Sequence, residues 1–150
     1  MTHAAKILFP LLLAVLLFSG CGRGYRNYEL DRTSFDTKTL QMIQSDTGIA
    51  LPAGARGLNF YYKPPIDPAY IAKIEIPLNS KDDMIKTLSA IKNDDNIHAS
   101  ESLGAKLSWR MPKSAKVVVE RQTFVRGNYL HVTLTEQDAA VILYIEWWVI

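Results

Sequence analysis

Apolar and polar residues alternate along much of the chain beyond residue 57, which is the pattern of half-buried β-strands. Between residues 70 and 76, for example, every even-numbered position is apolar, whereas Lys73 and Glu75 occupy odd-numbered positions. The same criterion predicts strands at residues 58–62, 70–76, 107–110, 116–124, 129–135 and 139–150. Short turns at residues 126–128 and 136–138 would join the last three of them as an antiparallel meander.

Two segments have apolar residues at helical spacing. The first follows Thr33 and Ser34, either of which can cap a helix, with Asp36 placed to close a capping box on Thr33; Gly48 ends it. The second begins at Ser80, and its apolar stripe consists of Met84, Ile85, Leu88 and Ile91. These elements predict an α+β fold: a single domain at residues 34–150, with a mainly antiparallel sheet of about five to six strands and two helices.

The last predicted strand is apolar on both faces. Its odd-numbered positions from 141 to 149 are all apolar, and Glu146 is the one polar residue among the even-numbered positions. A sheet with one solvated face should instead alternate, so the back of this strand is either covered or used for binding. We expect the first helix to cover it. In the alternative, Tyr144 and Trp148 form an exposed binding surface to which Tyr61 and Tyr62 contribute.

The first twenty residues have the features of a secretion signal. Lys6 is followed by an uncharged apolar run at residues 7–18, whose twelve residues are too few to span a bilayer. The run ends in Leu17-Phe18-Ser19-Gly20-Cys21, which resembles the lipobox of bacterial lipoproteins: apolar residues, two small residues and an obligatory cysteine. The resemblance implies a diacylglyceryl group on the Cys21 sulfur, cleavage between Gly20 and Cys21, and acylation of the new N-terminus.

Residues 21–33 are then expected to be a lipidated N-terminus followed by a flexible tether. Two arginines and no acid lie between Gly22 and Tyr28, which suits contact with anionic lipid headgroups. Gly22 is not the aspartate that retains such lipoproteins at the inner membrane of enteric bacteria. The resemblance therefore implies anchoring at the outer membrane, facing the periplasm.

Composition narrows the possible functions of the remaining 130 residues. Cys21 is the one cysteine, so once it is lipidated the monomer has no disulfide, thiol nucleophile or cysteine-ligated metal. The net charge of +2 falls to +1 without Lys6, and acids and bases are interspersed, which argues against nucleic-acid binding. No cofactor motif and no small-molecule ligand are evident.

No catalytic or metal-binding arrangement is recognisable in the mature chain. Its histidines, His98 and His131, are 33 residues apart, without HExxH spacing. Ser100, His131 and Asp138 are the residue types of a catalytic triad, but any chain of this size offers such a set. The pairs Asp82-Asp83 and Asp94-Asp95 are sequence neighbours whose side chains diverge. We therefore predict neither catalytic residues nor metal ligands.

The sequence leaves three functional hypotheses. The first is a non-enzymatic protein-binding module, such as an inhibitor, an immunity protein or an assembly factor, with a partner in the cell envelope. The second is a cell-wall or glycan-associated binding protein or hydrolase, which a cleft joining an aromatic residue to a carboxylate would favour. The third is a domain that rests on the membrane surface, which requires arginines and aromatic residues on one side.

Overall fold

The strand that is apolar on both faces lies at the centre of the sheet. The computed structural model describes residues 26–64, 66–97 and 103–150. In it the final strand, β6 (Ala140–Trp148), pairs with β3 (Ala69–Ile76) at one edge and with β5 (Asn128–Gln137) at the other. Its residues from Val141 to Trp147 are all buried. A central strand covered on both faces accounts for the lack of alternation that the sequence shows.

The other three strands extend the sheet outwards from this centre. They are β1 (Tyr28–Leu30), β2 (Arg56–Lys63) and β4 (Lys116–Val125). The strand order is β1-β2-β3-β6-β5-β4, and every neighbouring pair is antiparallel. The sheet therefore consists of two three-stranded halves that meet where β3 pairs with β6; the strands of the second half, β4 to β6, are joined by short turns. The meander predicted at the end of the chain is confirmed.

Both helices pack against one face of the sheet, which we call the front face. This face carries the even-numbered side chains of β3 and the odd-numbered side chains of β6. Helix α1 (Thr37–Thr47) contributes Ile43 to its core, and α2 (Lys81–Ser89) contributes Met84 and Leu88. The predicted class, an α+β domain with a six-stranded antiparallel sheet and two helices, is confirmed.

The first helix starts and ends with recognisable caps. The Asp36 carboxylate accepts a hydrogen bond from the Thr39 amide at 2.8 Å, which satisfies one of the free N–H groups of the first turn. Gly48 ends the helix with a φ of 71°, a left-handed conformation that favours glycine. Thr33 and Ser34, the predicted caps, instead donate to the Asp31 carboxylate in the preceding turn. Asp36 therefore serves as the cap itself rather than as the partner in a capping box.

Two segments differ from the sequence-based expectation. Residues 28–30 fall within the expected tether, but they pair with Tyr62, Tyr61 and Phe60 of β2, so the sheet begins earlier. A three-residue edge strand has too short a pattern to be detected by alternation. The strand predicted at residues 107–110 is wrong, because this part of the chain is turn and irregular structure that follows a short 3-10 helix, Leu103–Lys106.

The opposite face of the sheet, the back face, is covered differently. The prediction that the first helix covers the back of β6 is wrong, since Ile43 of α1 packs in the front-face core. The back face carries Ile71 of β3 and Tyr144 and Glu146 of β6. The segment at residues 103–113 lies over these side chains. Helices cover one face and an irregular segment covers the other, so β6 is buried on both faces and its sequence does not alternate.

Candidate functional site

The irregular segment does not close completely over the back face, and the gap is a half-open cleft of approximately 360 Å³. We call it the back-face cleft. Its floor is formed by the sheet residues Ile71, His131, Thr133, Tyr144 and Glu146, and its walls by Gly104, Leu107, Trp109, Arg110, Met111 and Lys113. The volume is within the range of sites that hold a small ligand or one or two side chains of a partner protein.

A histidine between two carboxylates forms the polar part of the floor. Strand pairing places His131 directly opposite Glu146 of β6, and Glu120 reaches the same ring from β4. His131 Nε2 lies 2.8 Å from Glu120 Oε1, a hydrogen bond, and His131 Nδ1 lies 3.8 Å from Glu146 Oε2, an ion-pair distance. Both ring nitrogens therefore face a carboxylate oxygen.

This arrangement changes the protonation of the imidazole. Burial alone would lower the pKa of His131, but the carboxylates of Glu146 and Glu120 together raise it above its ordinary value of 6.5. The two glutamates therefore favour the protonated form of the imidazole. Burial and the same two carboxylates raise the pKa of the neighbouring Tyr129 to about 12, so its hydroxyl stays protonated.

The rest of the cleft is mainly apolar and aromatic. Ile71, Leu107 and Met111 supply aliphatic surface, and Trp109 and Tyr144 supply two aromatic rings. The indole N–H of Trp109 is buried without a hydrogen-bond partner among the described residues. Cationic side chains, Arg110 and Lys113, also line it. A site with these groups can enclose an apolar or aromatic moiety and present charged groups to its polar end.

The geometry is less suited to general-base catalysis. Thr133 Oγ1, the nearest hydroxyl, lies 3.4 Å from His131 Nε2, but Glu120 already occupies that nitrogen at 2.8 Å. Thr133 is also almost fully buried where it borders the cleft. Activation of a hydroxyl nucleophile requires a base with a free nitrogen directed at an accessible oxygen. The described residues of the cleft do not provide that pair.

The four aromatic residues of the predicted binding surface do not form one patch. Tyr144 is buried in the floor of the back-face cleft. Trp148 lies on the same face but near the end of β6, where its ring is 4.9 Å from that of Tyr129. Tyr61 and Tyr62 point to opposite faces of β2, and Tyr62 packs against Tyr28 at 5.3 Å on the front face. Only Tyr144 belongs to the cleft.

The remaining predicted site residues fall in two groups. Gly20, Cys21, His98 and Ser100 lie outside the described residues. Asp138 lies in the turn between β5 and β6, seven residues along the strand from His131, or roughly 23 Å at about 3.3 Å per residue. Asp138 therefore cannot orient the imidazole of His131, a role that Glu120 and Glu146 fill.

Sequence reasoning missed the Glu120–His131–Glu146 cluster, although a signal for part of it was present. Glu146 is the single acid in the apolar final strand, and His131 lies on the preceding strand. The turn that joins these strands is centred between Asp138 and Ala139, so the two residues are equally distant from it and must pair. The sequence placed the turn at residues 136–138, which shifts the register enough to separate them.

Two further features concern the described residues as a whole. No three histidine, cysteine, aspartate or glutamate side chains among them are arranged to hold a metal ion. None of the helices in the described part of the chain has the length and apolarity needed to cross a bilayer.

Comparison with known proteins identifies no relative on which an assignment can rest. The chain matches no protein-family model, no curated protein and no solved structure at a significant level.

Proposed function

We propose that this chain is a lipid-anchored protein of the bacterial envelope whose domain binds a protein partner through the back-face cleft, without catalysing a reaction. The observation that carries the proposal is the cleft itself, an opening with apolar walls over a charged floor in an otherwise well-covered sheet. The partner contributes an apolar or aromatic side chain that inserts beside Trp109 and Tyr144. A short polar contact with the floor or the rim fixes its orientation.

The lipobox-like residues support the proposed location. Cys21 follows two small residues and an apolar run of signal-peptide length. Two or three acyl chains on this residue would hold the protein firmly at a membrane, since burial of each methylene contributes about 0.8 kcal/mol. A tethered domain meets membrane and periplasmic partners at high effective concentration, so a small cleft suffices for useful binding.

The contacts of His131 support binding rather than catalysis. Its two ring nitrogens face the carboxylates of Glu120 and Glu146, so neither nitrogen is directed at a ligand in the cleft as a general base would be. The charged groups of the cluster would instead orient a bound ligand.

The test compares two tryptophan substitutions of similarly exposed residues. Met111→Trp fills the mouth of the cleft, whereas Val117→Trp adds the same ring at the start of β4, away from it. Wild-type and variant proteins, expressed with their signal segment, are crosslinked in intact cells and purified from the envelope fraction. We expect one dominant partner with wild type and Val117→Trp, and its loss with Met111→Trp.

Two outcomes would contradict the proposal. A partner retained equally by all three proteins would place the binding site elsewhere on the domain. Absence of the wild-type protein from the membrane fraction, or absence of lipid on Cys21, would contradict the proposed anchoring.

A second candidate function is glycan binding, and the aromatic content of the cleft favours it. Trp109 provides a ring of the kind on which sugars stack, and the carboxylate of Glu146 is a hydrogen-bond acceptor in the same cleft. Titration of the protein with soluble peptidoglycan fragments would change the tryptophan fluorescence of the wild type under this alternative, and Trp109→Phe would weaken the response. The protein-binding proposal expects no saturable change with these fragments.

A further inference from the structure

Strand pairing brings several separate parts of the chain to one end of the sheet. Tyr28, the first residue of β1, pairs with Tyr62 near the end of β2. The β2–β3 connection at residues 64–68 follows directly, and Ala69 of β3 pairs with Trp148 near the end of β6. Trp148 pairs in turn with Tyr129 at the start of β5. The segment that leads to Cys21 therefore enters the domain at this end, which we call the tether end.

The tether end carries most of the exposed large apolar side chains of the described residues. There are seven such side chains, and four of them lie here: Tyr28 at 44% exposure, Ile66 at 89%, Phe124 at 48% and Ile150 at 77%. The other three, Leu78, Met111 and Val117, lie at the opposite end of the sheet or on the rim of the back-face cleft. Solvent-exposed apolar groups concentrated at one end of a small domain indicate a surface that contacts a membrane or another molecule when the protein functions.

Aromatic and basic residues accompany these apolar side chains. Phe124, Tyr129 and Trp148 form a continuous ring cluster on the back face, with centroid distances of 6.3 and 4.9 Å. Arg26, Lys63 and Arg126 lie at the same end, as do the acids Glu29, Asp36, Asp46 and Asp67. This mixture of amphipathic rings, exposed aliphatic groups and basic side chains is typical of proteins at the interface of a bilayer.

We infer that the tether end of the domain rests on the membrane surface. This inference depends on the proposed lipid anchor, because chain length supplies the constraint. Only six residues lie between Cys21 and Tyr28, so these seven steps along the chain reach at most about 25 Å when fully extended. The side chains of Ile66, Phe124 and Ile150 are thus held next to the headgroups by the same tether. The back-face cleft, which opens from the side of the sheet, stays accessible to a partner.

An environment-sensitive dye on a single engineered cysteine tests this orientation. Cys21 is the one native cysteine and carries lipid in the mature protein, so Ile66→Cys and the control Leu78→Cys each present one labelling site. Both native side chains are highly exposed, at 89% and 66%, and both substitutions spare the core. The lipidated proteins are reconstituted in vesicles of phosphatidylcholine, with or without phosphatidylglycerol.

We expect the dye at position 66 to shift to shorter wavelength in vesicles and the dye at position 78 to keep its emission in water. Phosphatidylglycerol should enlarge the shift. Lys63→Ser should lower the ratio of surface-bound to free domain by about fivefold. Equal emission at both positions in vesicle-bound protein would overturn the inferred orientation and leave the proposed lipid anchor intact. Dye labelling of the wild-type protein would show a free Cys21 thiol and would overturn the proposed anchor instead.

Discussion

The two faces of the sheet are built from the same strands but are covered in different ways. The front face meets two amphipathic helices, and its central side chains, such as Ile74, Leu143 and Ile145, are fully buried. The back face meets residues 103–113, which pack less completely and leave the back-face cleft. Helices place apolar residues at regular intervals that match a sheet surface, whereas an irregular segment does not. The front face therefore supplies most of the buried core, and the back face is the one that leaves room for the proposed binding.

The first prediction compares two isoleucines of β3 that point to opposite faces. Ile74→Ala should lower the free energy of unfolding by about 3 to 4 kcal/mol, because it leaves a closed cavity in the front-face core. Ile71→Ala should cost only about 2 kcal/mol, since its removal enlarges a cleft that is already open. Urea denaturation of both variants measures the difference. Equal losses would mean that the back face is as tightly packed as the front.

The second prediction tests the close packing over the start of β2. A Cβ atom on Gly57 would lie 2.1 Å from the Phe35 ring, which covers this strand on the front face. Gly57→Ala must therefore displace Phe35 and should lower the free energy of unfolding by about 2 kcal/mol. Urea denaturation of Gly57→Ala alone and combined with Phe35→Leu measures the effect. The smaller leucine should recover part of the loss, and no recovery would place the strain elsewhere.

The third prediction concerns the charged cluster on the back face. Because the folded pKa of His131 is raised, the cluster stabilises the fold below pH 6.5 and loses that contribution as the pH rises through the raised value. Glu146→Gln removes one carboxylate, so it should lower the pKa of His131 and cost about 1 to 2 kcal/mol below pH 6.5.

Titration of the His131 ring by NMR, in parallel with urea denaturation at several pH values, measures both effects. Glu136→Gln is the control, since Glu136 pairs with Lys81 and Lys116 at the other end of β5. Its substitution should leave the His131 titration unchanged. A pKa of His131 at or below 6.5 in the wild-type protein would contradict the stabilising interaction of its ring with Glu120 and Glu146.

The fourth prediction concerns the turn that sets the register of the cluster. Asp138 and Ala139 have φ angles of 46° and 66°, a left-handed conformation that disfavours alanine. Ala139→Gly should relieve this strain and raise the free energy of unfolding by about 1 kcal/mol. Urea denaturation measures the gain, and the His131 titration should be unchanged because the register is unchanged. A loss of stability would show that the entropy of the unfolded glycine chain outweighs the strain.

The front face was largely predictable from the sequence, and the reason is periodicity. The strand at residues 70–76 and the helix that begins after Ser80 have apolar positions at regular spacing, and the structure places both as predicted. Tyr28–Leu30 was missed because three residues are too few to show alternation. Residues 107–110 were mistaken for a strand because their apolar residues cover the back face without regular structure.

The back-face cleft was not predictable in the same way. It depends on strand order, since β6 had to insert between β3 and β5 before Ile71, Tyr144 and His131 could share one surface. Local patterns do not contain strand order, which is decided by long-range pairing. The pairing of His131 with Glu146 could have been predicted more easily, because it required only the correct position of one two-residue turn.

Site-specific photo-crosslinking in living cells tests directly whether the back-face cleft binds a partner. A photoreactive amino acid is placed at Met111, on the rim of the cleft, or at Val117, whose exposure is similar at 45% against 36%. Binding through the back-face cleft should give a discrete crosslinked product at position 111 that is lost when Trp109→Ala alters the cleft wall, and none at position 117. Equal products at both positions, or none at position 111, would contradict the claim that the back face binds a partner.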